Sequence, residues 1–565
     1  MKKKDKEPFH DLLVPILLIL VVLPLVIRLA VYDCGYQDYA WYGGDGIRTD
    51  LYSYYKNRLF LVLAIFCAGI LPFRLFLYRE KTKEWKLYLP LFGYAGMALL
   101  SALLSKNPEA AFVGNLDSFE NVLVLIGYAV VSFYTYQVLE TEKDYRVLWY
   151  GLLVILGIFL VVGGLQLFRI DPVDYEWFQK LIMTEEQFEI YGGTPDDTFT
   201  GNNVYLTLYN PNYAGVYLTM IVSVTAVMAL TEEKKKQKIF YGLASLVALV
   251  LIWFTYSRAT LVSLAVGAVV LAACLGKGKG KRILRYGVPG AVLVLLALIA
   301  ADWMQGSYYL SRMFDSVETE PLEELRTLED GVYLAYDGKT YRFSMEGEEI
   351  RTESAYELPE DVSVYPLYGE YGLGIGLYLA DTEMEFVRLE EGYFYRTPWG
   401  KLDQIVEIPA VDFHGLEALG SGRVYIWSRV LPILKKYLFV GSGPDTFAES
   451  FPQNDYAGKV VYANHPGRII EKAHNDLLTK WVQTGMVSVV CCVAFYVLFL
   501  RKGMGAYRGK EMRSMAKRLG LGCFIGCVCY LDGSLFNDST IQTAPLFWVF
   551  TGIALSAAAE KGKEG

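Results

Sequence analysis

His474, Arg258 and Arg423 are side chains able to do chemistry, and each stands where an apolar run meets polar sequence. His474 lies in Glu471-Lys472-Ala473-His474-Asn475-Asp476-Leu477-Leu478, between a long polar stretch and an apolar run from Leu477 to Leu500. An imidazole titrates near neutral pH, so at a membrane surface it can take a proton from a substrate hydroxyl. The structural alternative is a His-Asn pair that caps and anchors a helix at the interface. Arg258 lies in Phe254-Thr255-Tyr256-Ser257-Arg258-Ala259-Thr260-Leu261, where one apolar run ends and the next begins with almost no connection. An arginine at that boundary is costly unless paired or solvated, which points to function. Snorkelling to headgroup phosphates is the alternative. Arg423 lies in Ser421-Gly422-Arg423-Val424-Tyr425-Ile426-Trp427, ahead of the turn Val440-Gly441-Ser442-Gly443-Pro444-Asp445-Thr446-Phe447. A solvated surface charge is the usual fate of a loop arginine.

Further candidates support these three. Asn210 and Asn212, in Tyr209-Asn210-Pro211-Asn212-Tyr213-Ala214-Gly215, open an apolar run, and a helix start alone accounts for them. His465 and Arg468, in Tyr462-Ala463-Asn464-His465-Pro466-Gly467-Arg468, are close in sequence to His474, with an ordinary loop role as the alternative. Asn475 and Asp476 either orient His474 or begin its helix. The Gly441 to Gly443 turn lacks the lysine and hydroxyl spacing of a nucleotide loop.

These residues need a membrane scaffold. The chain of 565 residues is 53% apolar and 15% aromatic, with repeated apolar runs near 20 residues, more hydrophobic length than a soluble domain buries. The pattern predicts an all-α polytopic protein with about twelve spans: 12–31, 58–78, 87–104, 120–139, 147–168, 212–230, 239–256, 259–275, 286–302, 477–500, 519–534 and 541–558. The first run follows Met1-Lys2-Lys3-Lys4 without a clear small-residue cleavage site, which reads as an anchor. Basic connections alternate with base-poor ones: Tyr78 to Lys83, Glu233 to Lys236, Lys277 to Arg282 and Arg501 to Arg518. Such loops stay cytoplasmic, so both termini are expected on the cytoplasmic side of the membrane and 303–473 on the other. The expected organisation is spans one to nine over 1–302, an extracytoplasmic loop over 303–473, and spans ten to twelve over 474–565.

The net charge of −8 comes mostly from that loop and does not signal a basic partner such as nucleic acid. Seven of the eight cysteines fall in expected spans, Cys34 being outside them, so neither a zinc site nor a disulfide framework is expected. Within the loop, 331–411 alternates aromatic or branched residues with polar ones and is punctuated by pairs such as Asp337-Gly338, predicting a small self-contained antiparallel β insertion. Its tyrosines suggest glycan or partner contact, with an acidic spacer as the alternative. From Gly420 to 473 the texture turns to helix and glycine turn, and this part holds the catalytic loop.

Taken in order, Ser257-Arg258, Gly422-Arg423 with Trp427, the Gly441-Ser442-Gly443-Pro444 turn with Phe447, and His474-Asn475 with Leu478 and Gly485 resemble the O-antigen ligase and polymerase family of bacterial membrane glycosyltransferases. Asn210-Pro211-Asn212 fits as well, and the resemblance covers mainly 200–500. Two departures stand out: Gln483, where relatives often carry glutamate, and the β insertion, which is not part of the shared core. The resemblance implies transfer of a glycan from a polyprenyl-diphosphate carrier to an acceptor hydroxyl on a glycan, lipid or protein, in surface polysaccharide polymerisation or ligation. It also implies roles for residues: His474 as general base with inversion, and Arg258 and Arg423 holding the diphosphate, because a planar guanidinium pairs bidentately with phosphate. No acidic metal cage accompanies these motifs, so metal-independent chemistry without a cofactor is expected. A flippase or transporter of the lipid-linked sugar is the competing reading and requires charged or broken segments at the midplane, of which Gly163-Gly164 with Gln166 is the nearest. A sensor with an ectodomain would leave Arg423 and His474 without a role.

Overall fold

The computed structural model describes residues 10–77, 83–116, 118–192, 203–276, 303, 322–379, 381–463 and 465–560. Its helical part follows the apolar runs. Six helices are long and apolar enough to cross a membrane: α1 (Tyr54–Leu77, apolar over Tyr54–Phe73), α2 (Trp85–Leu103), α4 (Glu142–Leu167), α7 (Pro211–Thr231), α8 (Lys235–Trp253) and α13 (Met486–Tyr507). The chain is therefore a multi-pass membrane protein. Between them lie α3 (Val122–Val138), the short α5 (Glu176–Ile182) and α6 (Glu185–Tyr191), and α9 (Arg258–Cys274). Beyond the strands come α10 (Leu419–Ile433), α11 (Tyr456–Ala463), α12 (Asp476–Thr484), α14 (Met515–Gly533) and α15 (Ala544–Ala559).

Two of the expected spans differ in detail. The run 12–31 is helical only over Asp11–Leu25, around Pro15 and Pro24, and Ala30–Asp33 forms a strand, β1, paired antiparallel with β2 (Ile47–Asp50). The run 477–500 is two helices: α12 ends at Gly485, where φ is +87°, and the membrane helix α13 starts only at Met486. The expected span 286–302 lies outside the described residues.

At the centre stands α7, 83% buried over its most apolar stretch, which suits a helix apolar on all sides. Asn210 caps it, accepting from the Asn212 amide at 2.8 Å, and Pro211 occupies its first turn. Against it lies α14, where a Cβ added at Gly522 would come within 2.7 Å of the Val224 Cα, and one at Gly526 within 3.0 Å of the Met220 carbonyl. Small residues four apart thus permit a backbone approach that larger ones would block. Helices α9 and α15 complete the surround of α14, and α15 packs in turn on α3.

The inserted strands form two antiparallel sheets. One has the order β3–β4–β5–β6 (Leu322–Thr327, Val332–Tyr336, Lys339–Glu346, Glu349–Glu353). The other runs from β7 (Ser363–Gly369) through β8 (Gly372–Leu379), β9 (Thr382–Leu389) and β10 (Gly392–Arg396) to β11 (Leu402–Asp403). Asp337 and Gly338 both have positive φ between paired Tyr336 and Lys339, the two-residue turn that their types favour. Strands begin at Leu322, ahead of 331, because β3 has less regular alternation and gains its pairing from β4. The unit also shares its core: Tyr456 and Val460 of α11 are buried among its strands, and the Tyr456 hydroxyl donates to Asp403 at 2.6 Å. Lys401 fastens it on another side, donating to the backbone carbonyls of Gln37, Tyr39 and Tyr42.

Candidate active site

Three separated pieces of chain meet at one cleft of about 240 Å³. Its walls include Tyr209, Asn210 and Tyr213 at the start of α7, Ser421 and Gly422 beside Arg423, Arg468 and Lys472 from the loop, and His474. Each wall is fixed by local chemistry. Asn475 caps α12 by accepting from the Leu478 amide at 3.0 Å and donates to the Leu535 carbonyl at 2.9 Å. That holds His474, immediately before the cap, in a left-handed conformation with φ of +49°. Such a backbone is costly for a side chain larger than glycine and persists where the surroundings impose it. Asn210 has the same kind of capping duty on α7.

The Nδ1 of His474 lies 2.6 Å from Oδ2 of Asp538, a carboxylate 2% exposed. A carboxylate accepts, so Nδ1 carries a proton, and in the neutral form of the imidazole Nε2 holds the lone pair. Burial opposes ionisation of Asp538, yet the charge and hydrogen bond of His474, helped by Lys472 and Arg423, hold its carboxyl below the usual range. Thr479 donates to the other carboxylate oxygen at 3.3 Å and accepts from the Ala473 amide, while Trp427 donates to the Ala473 carbonyl at 2.8 Å. The motif tryptophan therefore clamps the backbone that presents His474.

Arg423 emerges from three consecutive left-handed residues, Gly420 to Gly422. Its Nη1 donates to the Gly420 carbonyl at 3.2 Å, whereas its Nε is buried with no hydrogen-bond partner among the described residues. Burial lowers its pKa; the Asp538 carboxylate opposes that and the Arg258 charge adds to it. Arg258, the first residue of α9, makes no hydrogen bond or ion pair with any described residue. Two guanidiniums that repel each other, one of them short of an acceptor, form a place for an anion.

Lys472 sits behind this face, buried, with Nζ 3.3 Å from the Ser539 carbonyl. Burial works against its cation, but Tyr213, Asp538, Glu120 and Asp445 hold its pKa above the ordinary value. Glu120 is buried too and accepts from Tyr128 at 2.5 Å and Ser539 at 2.8 Å. By contrast Arg429 is fully engaged, with Nε 2.7 Å from Asp455, which also accepts from Tyr425 at 3.0 Å.

Not every expected residue lines the cleft: Arg258 and Arg423 do not, and they are linked to it by the charge they exert on each other and by that of Asp538 on Arg423. His465 is exposed, accepts from the Gly467 amide at 3.0 Å in its own turn, and does not line the cleft. Arg468 does line it and donates to the Ala463 carbonyl at 3.5 Å. Asn212 is half-buried at the start of α7.

The Gly441 turn serves packing. Its amides at Ser442 and Gly443 donate to the Val482 and Gln483 carbonyls at 2.9 and 3.0 Å, and Gly441 donates to Ser101 of α2 at 2.9 Å. A Cβ on Gly441 would lie 2.1 Å from the carbonyl carbon of Gln483 and 2.2 Å from the Thr484 nitrogen, both backbone atoms that have nowhere to go. The turn thus locks the end of α12, whose other end presents His474. Gly441→Ala is expected to cost about 1–3 kcal/mol of stability. Thermal unfolding in detergent should show a lower midpoint, and an unchanged midpoint would contradict this packing role.

Asp538 and Lys472 were not singled out in the sequence. Asp538 lies 64 residues from its histidine partner, in the short polar connection before α15. A lone carboxylate between two apolar runs is the signal that marks it.

Residues 243–493 match the family described as O-Antigen ligase. No curated protein matches the chain. The matched stretch runs from within α8 into α13, and it includes Arg258, Arg423, the Gly441 turn and His474. Asn210 and Asp538 fall outside it. The likeness to O-antigen ligases read from the motifs is thereby shown for that stretch.

Proposed function

From an O-antigen ligase-like domain in a multi-pass membrane protein, we propose that the chain is an inverting, metal-independent glycosyltransferase. Its donor is a glycan on a polyprenyl diphosphate, and its acceptor is a hydroxyl of a glycan, lipid or protein on the outer face of the cytoplasmic membrane. The observation that carries this is the His474–Asp538 pair beside a buried Arg423 whose Nε has no acceptor. Nε2 of His474 takes the proton of the acceptor hydroxyl as its oxygen attacks the anomeric carbon. The bond from that carbon to the diphosphate oxygen breaks, and the carrier diphosphate leaves with the electron pair. Arg258 and Arg423 take up the charge that grows on it, in a partly dehydrated site where such charge is expensive to leave uncompensated. Asp538 keeps the imidazole in the tautomer that leaves Nε2 free and steadies the imidazolium once formed. Lys472 keeps Asp538 ionised. With this assignment both termini and the basic connections lie inside, and the cleft outside.

The test is direct. Purified chain in vesicles should consume a polyprenyl-diphosphate glycan and release the carrier diphosphate; a chain that only moves the intact donor across the bilayer would be a transporter. Asp538→Asn sharpens it. The amide keeps the size but presents an N–H to Nδ1 and favours the wrong tautomer, so the transfer rate should fall roughly 10²- to 10⁴-fold with donor binding retained. Wild-type turnover by this variant would remove Asp538 from the mechanism.

A further inference from the structure

Helix α4 carries a stripe of exposed apolar residues, Tyr150, Val154 and Val161, at 56%, 53% and 63% exposure. On a helix that crosses the membrane such a stripe faces lipid. The stripe does not stop with the helix. Phe168, one heptad beyond Val161, is 79% exposed, and the chain then turns back on itself, with the Ile170 amide donating to the Leu165 carbonyl at 3.0 Å. The two short helices α5 and α6 follow. Trp177 and Leu181, four residues apart on one face of α5, are 65% and 74% exposed, and Ile190 of α6 is 66% exposed. The opposite face is buried: Gln179, Ile182 and Met183 pack inward, the last two with Leu29, Leu51 and Tyr205. Large apolar side chains, tryptophan among them, on an outward face continuous with a lipid-facing stripe match the depth where hydrocarbon meets headgroups.

We propose that residues 168–191 form a shelf lying in the membrane surface, with the phospholipid of the leaflet on the cleft's side as its partner. The shelf is tied to the cleft. Asp171 accepts from the Tyr205 hydroxyl at 2.5 Å and from Gln166 of α4 at 3.2 Å, and Gln166 donates to the Leu206 carbonyl. Asn210 in the cleft wall is five positions along from Tyr205, a reach of at most about 18 Å. A shelf at headgroup level therefore fixes the cleft near the phosphates of membrane lipids, the height at which a lipid-borne diphosphate would stand. That last consequence rests on the proposed donor; the shelf itself does not.

The test uses the full chain in phosphatidylcholine vesicles. Cys491 is replaced by alanine, the other seven cysteines being buried. A nitroxide is then placed in turn at 177, 181 and 190, with exposed Glu185 and Glu189, which share a different face of α6 from Ile190, as control positions. The shelf requires collision with dissolved oxygen to exceed collision with a water-soluble nickel chelate at 177, 181 and 190, and the reverse at 185 and 189. Nickel collision at 177, 181 and 190 as frequent as at the controls would put the segment in water and overturn the proposal. Protection from both reagents would mean a protein contact covers it, which overturns it equally. The readout needs no glycan donor, so loss of the transferase assignment would leave it standing.

Discussion

Replacing His474 with alanine is expected to lower single-turnover glycan transfer by roughly 10²- to 10⁴-fold, the contribution of a positioned general base. Donor binding should persist, because the guanidiniums assigned to the diphosphate are separate side chains on α9 and α10. The glutamine variant divides catalysis from anchoring. His474→Gln keeps hydrogen bonding toward Asp538 and most of the side-chain volume but has no basic nitrogen. If His474 mainly caps the approach to α12, glutamine preserves transfer near the wild-type rate; if it is the base, glutamine is as slow as alanine. The capping hydrogen bond comes from Asn475, not from His474, which is why the structure favours the second outcome. Measuring donor binding and single-turnover transfer for both variants decides it, and an active glutamine variant would remove His474 from the mechanism.

How far the sequence could be read follows from the range of the interactions involved. Apolar runs near 20 residues are local, so α1, α2, α4, α7, α8 and α13 could be read directly, as could the capping of α7 by Asn210. Ends of runs were harder. Gly485 splits 477–500 because its left-handed backbone breaks a stretch that hydropathy alone reads as continuous. Ala30 and Val31 look like the end of a span, yet they pair with Asp50 and Thr49, a contact no local pattern reveals. The β insertion showed its hairpins through Asp-Gly turns but not its dependence on Tyr456 and Val460, whose burial is decided by packing from another part of the loop. At the candidate site, motif letters pointed to His474 in the cleft and to Arg258 and Arg423 beyond its lining. Asp538 needed the fold, since its meaning lies in a partner 64 residues away.

Lysine in place of Arg258 or Arg423 is expected to reduce transfer roughly 10²- to 10³-fold, comparable to removing a donor that stabilises developing charge on oxygen. Lysine keeps the positive charge. What it loses is the rigid fork that can grip two phosphate oxygens at once, and a compact ammonium is also more readily deprotonated where it is buried. Arg423 should suffer more than Arg258, because its Nε is already buried without an acceptor among the described residues and burial already lowers its pKa. An apparent loss from misfolding is separated by Arg429→Lys. Arg429 is paired with Asp455 and lies over the Tyr425 ring, so its replacement should lower thermal stability while leaving the rate per folded molecule nearly unchanged. For Arg423→Lys the pattern should invert, with stability held and transfer lost. Normal turnover by both Arg258→Lys and Arg423→Lys would show that charge alone suffices and that no bidentate clamp operates. A stability loss with an unchanged rate for Arg423→Lys would instead assign that guanidinium to the scaffold.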